Sequence, residues 1–289
     1  IRNLDAVSVN INYSNQSKTI LDNSFNLNIS SDMLSDMSDL FISLSGTELK
    51  ADQVNLYDFS GYVLEAGIST IVKKTDGSKD EWIEAARELE GKKILTPPYC
   101  TREYTKTATY DQWFISLYRS FNNQYKRGVG VIETAKQCKS VFKSIITYKK
   151  KNHEDAASVY VFDSNGDLIY PYDISQEYKA ALQPYYELTK GDDSALTLIS
   201  PLTGKTEYAA EAVSSYTGYT YLTIQPESVV LAPVYNLLRI LAAIVALFLT
   251  VSIFISYRLS HSVVKPVKHL KHIIQRMELD SLGQEKVTA

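Results

Sequence analysis

The residue types that most often carry chemistry are sparse in this 289-residue chain. Its four histidines are His153, His261, His269 and His272. His269 and His272 are three apart, so on a helix both rings could reach one metal ion. A solvated face, or one turned to lipid headgroups, accounts for the same spacing. No serine, histidine and aspartate combine into a nucleophile–base arrangement. Gly128-x-Gly130 opens a strand pattern, not a helix, and so is not a phosphate loop. The two cysteines, Cys100 and Cys138, form neither a CxxC motif nor a His/Cys cluster, which argues against structural zinc. They could make one disulfide or remain two buried thiols. No cofactor and no catalytic residues are implied. Tyrosine is abundant, with 21 copies. Its flat apolar ring and hydroxyl suit ligand pockets and half-buried strands alike.

The elements that must position such residues are set by one apolar run. Ile240 to Tyr257 carries no charge and is bracketed by Arg239 and Arg258. With Val234, Tyr235, Leu237 and Leu238 it reaches the ~20 residues that a helix needs to cross a bilayer. Lys and Arg are absent between Tyr219 and Leu238, whereas Arg258, Lys265, Lys268, Lys271 and Arg276 follow the run. Basic flanks stay in the cytoplasm. Residues 1 to about 233 are therefore expected outside, and residues from about 258 inside. The chain is 45% hydrophobic and 22% charged with net charge −3, an ordinary globular balance. Nothing in the exterior part is basic enough for nucleic acid. The chain begins at Ile1 with neither Met nor signal peptide. It is expected to belong to a longer protein, with a membrane helix before Ile1 and a larger cytoplasmic part after Ala289.

Within the exterior part, residues 1–44 lack Gly and Pro and space their apolar residues at helical intervals. One long helix is expected, with a break near Asn28–Asp32 and a stop at Gly46. VNLYDFSGYVLEAGISTIV (54–72) reads as two strands around Asp58-Phe-Ser-Gly61. KDEWIEAARELE (79–90) reads as an amphipathic helix closed by Gly91. KKILT, QWFISLYRSF (112–121) and RGVGVIET (127–134) read as strands, and 136–149 as a helix. ASVYVFDSNGDLIYPYD is a hairpin with Asp163-Ser-Asn-Gly166 at its turn. A helix (175–189) and three strands, SALTLIS, EYAAEAVS and YTYLTIQ, follow. The second unit repeats the order of the first, with the boundary near Asn152–Asp155.

This arrangement resembles the double-Cache sensor domains of bacterial membrane receptors. EWIEAARELEGKKILTPPY resembles the membrane-distal helix–strand unit, FISLYRSF with GVGVIE its last two strands, and SVYVFDSNGDLIY the opening hairpin of the proximal unit. SHSVVKPVKHLKHIIQRMELDSLG resembles the first helix of a HAMP signalling linker, with Pro266 at the usual proline position and Leu270, Ile274 and Met277 along a bundle seam. The resemblance implies an α+β fold with a long N-terminal helix (1–44) and two tandem PAS-like antiparallel-sheet domains (45–152 and 153–227). A transmembrane helix (228–258) and the start of HAMP (259–289) would follow. It implies a sensor, most closely a histidine kinase of a two-component system, with a chemoreceptor as alternative. An adhesion or protein-interaction domain on a membrane anchor is the rival of a different class. The implied partners are a second copy of the chain, the membrane, a kinase domain and a response regulator.

The resemblance also implies a ligand pocket in the distal domain. In amino-acid-binding members an Arg two residues before the Trp grips the ligand carboxylate, and a Tyr and an acid grip its amine. The matching positions read Asp80, Trp82, Tyr99 and Glu133. Asp80 cannot form the bidentate pair that a guanidinium makes with a carboxylate, so free α-amino acids are not expected in that mode. Tyr57, Asp80, Trp82, Tyr99, Arg119 and Glu133 are the expected lining. Aromatic and acidic residues suit a carbohydrate, an amine or a peptide.

Overall fold

The computed structural model describes residues 1–22, 30–45, 50–66, 71–102, 111–122, 128–152, 157–189 and 196–285. They divide into two compact units, Ile1–Pro226 and Glu227–Ala289.

The first unit holds two antiparallel sheets. Strands β1 (Gln53–Asp58), β2 (Tyr62–Ala66), β3 (Ile71–Lys74), β4 (Lys93–Leu95), β5 (Tyr99–Thr101), β6 (Gln112–Asn122) and β7 (Gly128–Gln137) form a seven-stranded sheet. Its order is β3-β2-β1-β7-β6-β4, with β5 also pairing β6. Strands β8 (Ser158–Phe162), β9 (Leu168–Tyr170), β10 (Leu196–Ile199), β11 (Thr206–Val213) and β12 (Thr220–Pro226) form the second, in the order β10-β11-β12-β8-β9.

Both expected turns owe their shape to an aspartate. Asp58 Oδ1 accepts the backbone N–H groups of Ser60 at 3.0 Å and Tyr62 at 2.7 Å, joining β1 to β2. Asp163 Oδ1 accepts those of Asn165 and Asp167, both at 2.9 Å, joining β8 to β9. Such local bonds let an aspartate replace a turn's missing ladder partners.

The first 45 residues are not one helix. They form α1 (Arg2–Tyr13), α2 (Asn15–Asp22) and α3 (Ser31–Ser45). The backbone turns extended at Ser14 (ψ 123°), which ends α1 well before the expected break. Of the expected break near Asn28–Asp32, residues 28 and 29 lie outside the described residues, Ser30 is not helical and α3 starts at Ser31; the stop at Gly46 lies outside them. Met37 and Phe41 of α3 share a core with Leu4, Val7 and Ile11 of α1, so α3 folds back. That core closes over Leu56, Leu64, Leu117 and Ile132 on one face of the first sheet. The period-2 alternation of strands sends their neighbours to the other face. There Tyr57, Val63, Tyr118 and Val131 pack under Ile83 and Ala86 of helix α4 (Asp80–Glu88).

Helices α5 (Cys138–Val141) and α6 (Lys143–Asn152) follow β7, dividing the single helix expected over 136–149. The expected boundary at 152–155 falls almost wholly outside the described residues. A core of Ile115, Cys138, Phe142, Val161, Ile169 and Tyr219 bridges the two sheets. Trp113 of β6 meets Tyr172, just past β9, at 5.8 Å between ring centroids. Helix α7 (Gln176–Thr189) covers the second sheet through Leu182, Tyr185 and Tyr186.

The second unit is helical throughout its described length. Helix α8 (Glu227–Leu259) passes through a π-helical turn (Ser260–Val264) into α9 (Lys265–Glu285). The 33 residues of α8 contain the whole uncharged run, and their apolar side chains are exposed. One such helix is long and apolar enough to cross a membrane. Pro266 sits in the first turn of α9, directly after the π-helical turn; a proline inside a continuous helix cannot donate to the preceding turn, and a π-bulge is a common place for such an irregularity.

Candidate functional site

The candidate site lies on the α4 face of the first sheet and is organised by one buried carboxylate. Glu133 is fully buried in the middle of β7. Three strands converge on it. Asn55 and Tyr57 of β1 donate to Oε2 at 2.8 and 2.7 Å. Ser116 of β6 donates to Oε1 at 2.6 Å. The Tyr99 hydroxyl of β5 lies 2.7 Å from Ser116 Oγ and 3.2 Å from Glu133 Oε1. Lys79, just before α4, brings its ammonium to 3.4 Å from Oε2. Gln53 extends the network by donating to Asn55 Oδ1 at 2.8 Å.

Burial alone would raise the pKa of Glu133. The Lys79 charge and the donors Ser116, Tyr57 and Asn55 outweigh it and hold the carboxyl below its ordinary range. The same burial, reinforced by the charge of Glu133, pushes the phenols of Tyr57 and Tyr118 upward. Both therefore keep their protons at neutral pH.

Above this network opens a cavity of about 320 Å³, within the range of small-molecule pockets. Ser78, Lys79 and Trp82 line it at the start of α4. Thr96, Pro97, Tyr99, Cys100 and Thr101 line it along β4 and β5, and Tyr118 from β6. Trp82 and Tyr118 stack at 6.3 Å and 18°. Thr96 Oγ1 accepts the Ser116 N–H at 3.0 Å, tying the cavity wall to the strand beneath it. The wall thus offers aromatic faces, hydroxyls and one ammonium.

Of the six residues expected to line a pocket, Trp82 and Tyr99 do so. Tyr57 and Glu133 belong to the network beneath, joined directly at 2.7 Å. Asp80 lies exposed in the first turn of α4, beside Gly77. It is a first-turn acid, favourable to the helix dipole, and stands apart from the cavity. Arg119 also stands apart. As an odd-numbered neighbour of Tyr118 it points to the α1 face, where its guanidinium meets Asp5, Ser8 Oγ at 3.1 Å and the Gly91 carbonyl.

Lys79, Asn55, Ser116 and Tyr118 join the site without having been singled out. Strand alternation could have found three of them, since Asn55 is two from Tyr57, and Ser116 and Tyr118 are two apart on the strand that pairs with β5 and β7. Lys79 carried no such signal. Cys100 is exposed and Cys138 buried, both as free thiols, and burial pushes Cys138 up to about 12. His261 lies in the π-helical turn, His269 and His272 on α9, and His153 falls outside the described residues. Gly130 has a steric role: a Cβ there would meet the Tyr57 carbonyl oxygen at 2.1 Å.

No protein-family model matches the chain, and no curated protein does. Solved structures do. The ligand-binding domain of the Campylobacter jejuni chemoreceptor Tlp3, in complex with L-valine, is similar at 13% identity and TM-score 0.51, over 79% of this chain and 84% of that one. The ligand-binding domain of Mlp24 with asparagine is similar at 15% identity and TM-score 0.52, over 80% and 84%. The extracellular domain of vpHK1S-Z8, assigned as a histidine kinase, is similar at 11% identity and TM-score 0.53, over 78% and 84%. The fold of this chain is that of the Cache-type sensory domains of bacterial receptors.

Proposed function

We propose that the chain is the sensory and membrane-crossing part of a bacterial receptor, and that its input is a small molecule held in the cavity over Glu133. The observation that carries this reading is the cavity itself: an aromatic, hydroxyl-lined recess whose floor is fixed by a fully bonded carboxylate. Preorganised polar groups of that kind bind without first paying for their own ordering. Residues 45–152 form the distal domain of this reading and 153–227 the proximal one. Residues 1 to about 233 lie outside the cell, and α9 begins a HAMP linker whose Leu270, Ile274 and Met277 pack in a homodimeric bundle. The output is a histidine kinase that acts on a response regulator. The chemoreceptor alternative rests on the chemoreceptor domains among the similar structures.

A carbohydrate or a peptide suits the cavity better than an amine. Stacking surfaces and hydroxyls serve a sugar ring or a peptide group, whereas an ammonium would sit beside the like charge of Lys79. Free α-amino acids gripped by a guanidinium are not expected, because position 80 carries no Arg and lies outside the cavity. The test is thermal unfolding of the full chain in detergent against a panel of sugars, oligosaccharides, peptides, amines and amino acids. A ligand of the folded state raises the melting temperature by mass action. The reading holds if a hit is lost in Tyr99→Ala and Trp82→Ala. A hit indifferent to both would place the site elsewhere.

A further inference from the structure

Helix α9 carries two unlike faces. At about 100° per residue, Lys265, Lys268, His269, His272 and Arg276 fall within roughly a third of the circumference. Val267, Leu270, Ile274 and Met277 fall on the side opposite, exposed by 58, 58, 59 and 67%. The side chains confirm the first face: Lys265 Nζ lies 3.3 Å from His261 Nε2, one turn back. No Asp or Glu occurs between Glu227 and Glu278, so the cations of residues 265–276 share their stretch of helix with no acid; Glu278, Asp280 and Glu285 follow only in its last turns. Arg258 leans back over the Phe254 ring at 5.7 Å, toward the uncharged run.

We propose that the cationic face of α9 is a docking surface for anionic lipid headgroups of the membrane that α8 crosses. The proposal rests on the membrane reading given above. Lys265 and Lys268 stand about 10 and 15 Å beyond Arg258 along the axis. The headgroup layer is roughly 5–8 Å deep, lysine side chains extend toward it, and surface charge acts over a further ~8 Å at physiological salt. The first two turns of α9 therefore stand within the field of an anionic leaflet. Charge selects the partner, since a zwitterionic surface offers no net attraction to the cations of these first turns. The apolar seam, on the far side, stays available to another helix while the cationic face holds lipid. The two faces thus serve two different neighbours at once.

The test is hydrogen exchange of the full chain in lipid nanodiscs of phosphatidylcholine alone and of phosphatidylcholine mixed with phosphatidylglycerol. Amides of residues 265–271 are expected to exchange roughly tenfold more slowly in the mixed discs, each lysine near the surface contributing about fivefold before screening. High salt and the double variant Lys265→Gln/Lys268→Gln should each remove the difference. Equal exchange in both discs, with α8 strongly protected, would overturn the lipid proposal and leave the membrane reading standing. Free exchange along α8 would overturn both. Soluble glycerol phosphate reproducing the protection in phosphatidylcholine discs would also overturn the proposal, in favour of a dissolved anion.

Discussion

Glu133 is a buried charge that the fold has fully compensated, and removing either side of that compensation is costly. Glu133→Gln removes the charge that faces Lys79 and swaps an acceptor for a donor among hydroxyl groups already oriented to donate. The expected loss is about 3 kcal/mol of unfolding free energy, measured by urea denaturation of the full chain in detergent. The pH dependence follows from the depressed pKa. A carboxylate whose folded pKa lies below its unfolded one adds stability above the ordinary range, near 4.5 for glutamate, and loses it as pH falls through the folded value. Asp5 is depressed as well: hydrogen bonds from Tyr216 and Lys93 and the charge of Arg119 outweigh its burial. Stability should hold from neutral pH down to that range and fall below it, less steeply in Glu133→Gln. At this scale Tyr57, Trp82, Tyr99 and Glu133 were named through the resemblance to double-Cache domains, not by strand or helix patterns. The sequence could not reveal which carboxylate would be buried or that Lys79 would reach it, because both depend on how α4 docks across the sheet.

The elements are coupled through Asp5 on α1. It accepts from Lys93 of β4 at 2.9 Å, and also from Arg119 of β6 and the Tyr216 hydroxyl in the turn joining β11 to β12. Lys93 Nζ also stands 3.4 Å from the centre of the Tyr216 ring. One aspartate therefore fastens a helix, two strands of the first sheet and a turn of the second. Asp5→Ala should cost about 2–3 kcal/mol by leaving two partly buried cations unpaired. A double-mutant cycle with Tyr216→Phe should show a coupling above about 0.5 kcal/mol. Gly130→Ala belongs to the same scale. The new methyl group would collide with the Tyr57 carbonyl and force β1 from β7, costing upward of about 1–3 kcal/mol in the same denaturation assay. Most strands, both aspartate turns and α4 were legible from alternation and turn chemistry. In residues 1–45 the helical character was legible but the break at Ser14 was not, because a run of apolar residues at helical spacing does not say where tertiary packing will bend it.

At the scale of the whole molecule, α8 is the one described helix long and apolar enough to cross a membrane. A lysine at its centre, as in Leu247→Lys, should oppose insertion by about 3 kcal/mol. The expected outcome is a larger fraction of chain recovered from the soluble phase after membrane fractionation. A helix able to span a membrane was the plainest feature of the sequence, since a long uncharged run between arginines has few soluble uses. The bridging of the two sheets was invisible to it, since Ile115, Cys138 and Val161 read locally as ordinary strand and helix residues. The placement of the aromatic residues has an optical consequence. The chain has two tryptophans. Trp82 faces the cavity, while Trp113 rests against Tyr172 where the sheets meet. With Trp113→Phe the emission reports the cavity alone, and with Trp82→Phe it reports the junction alone. The protein thus carries two native fluorophores, one at the place where a molecule would arrive and one at the place its influence would have to pass.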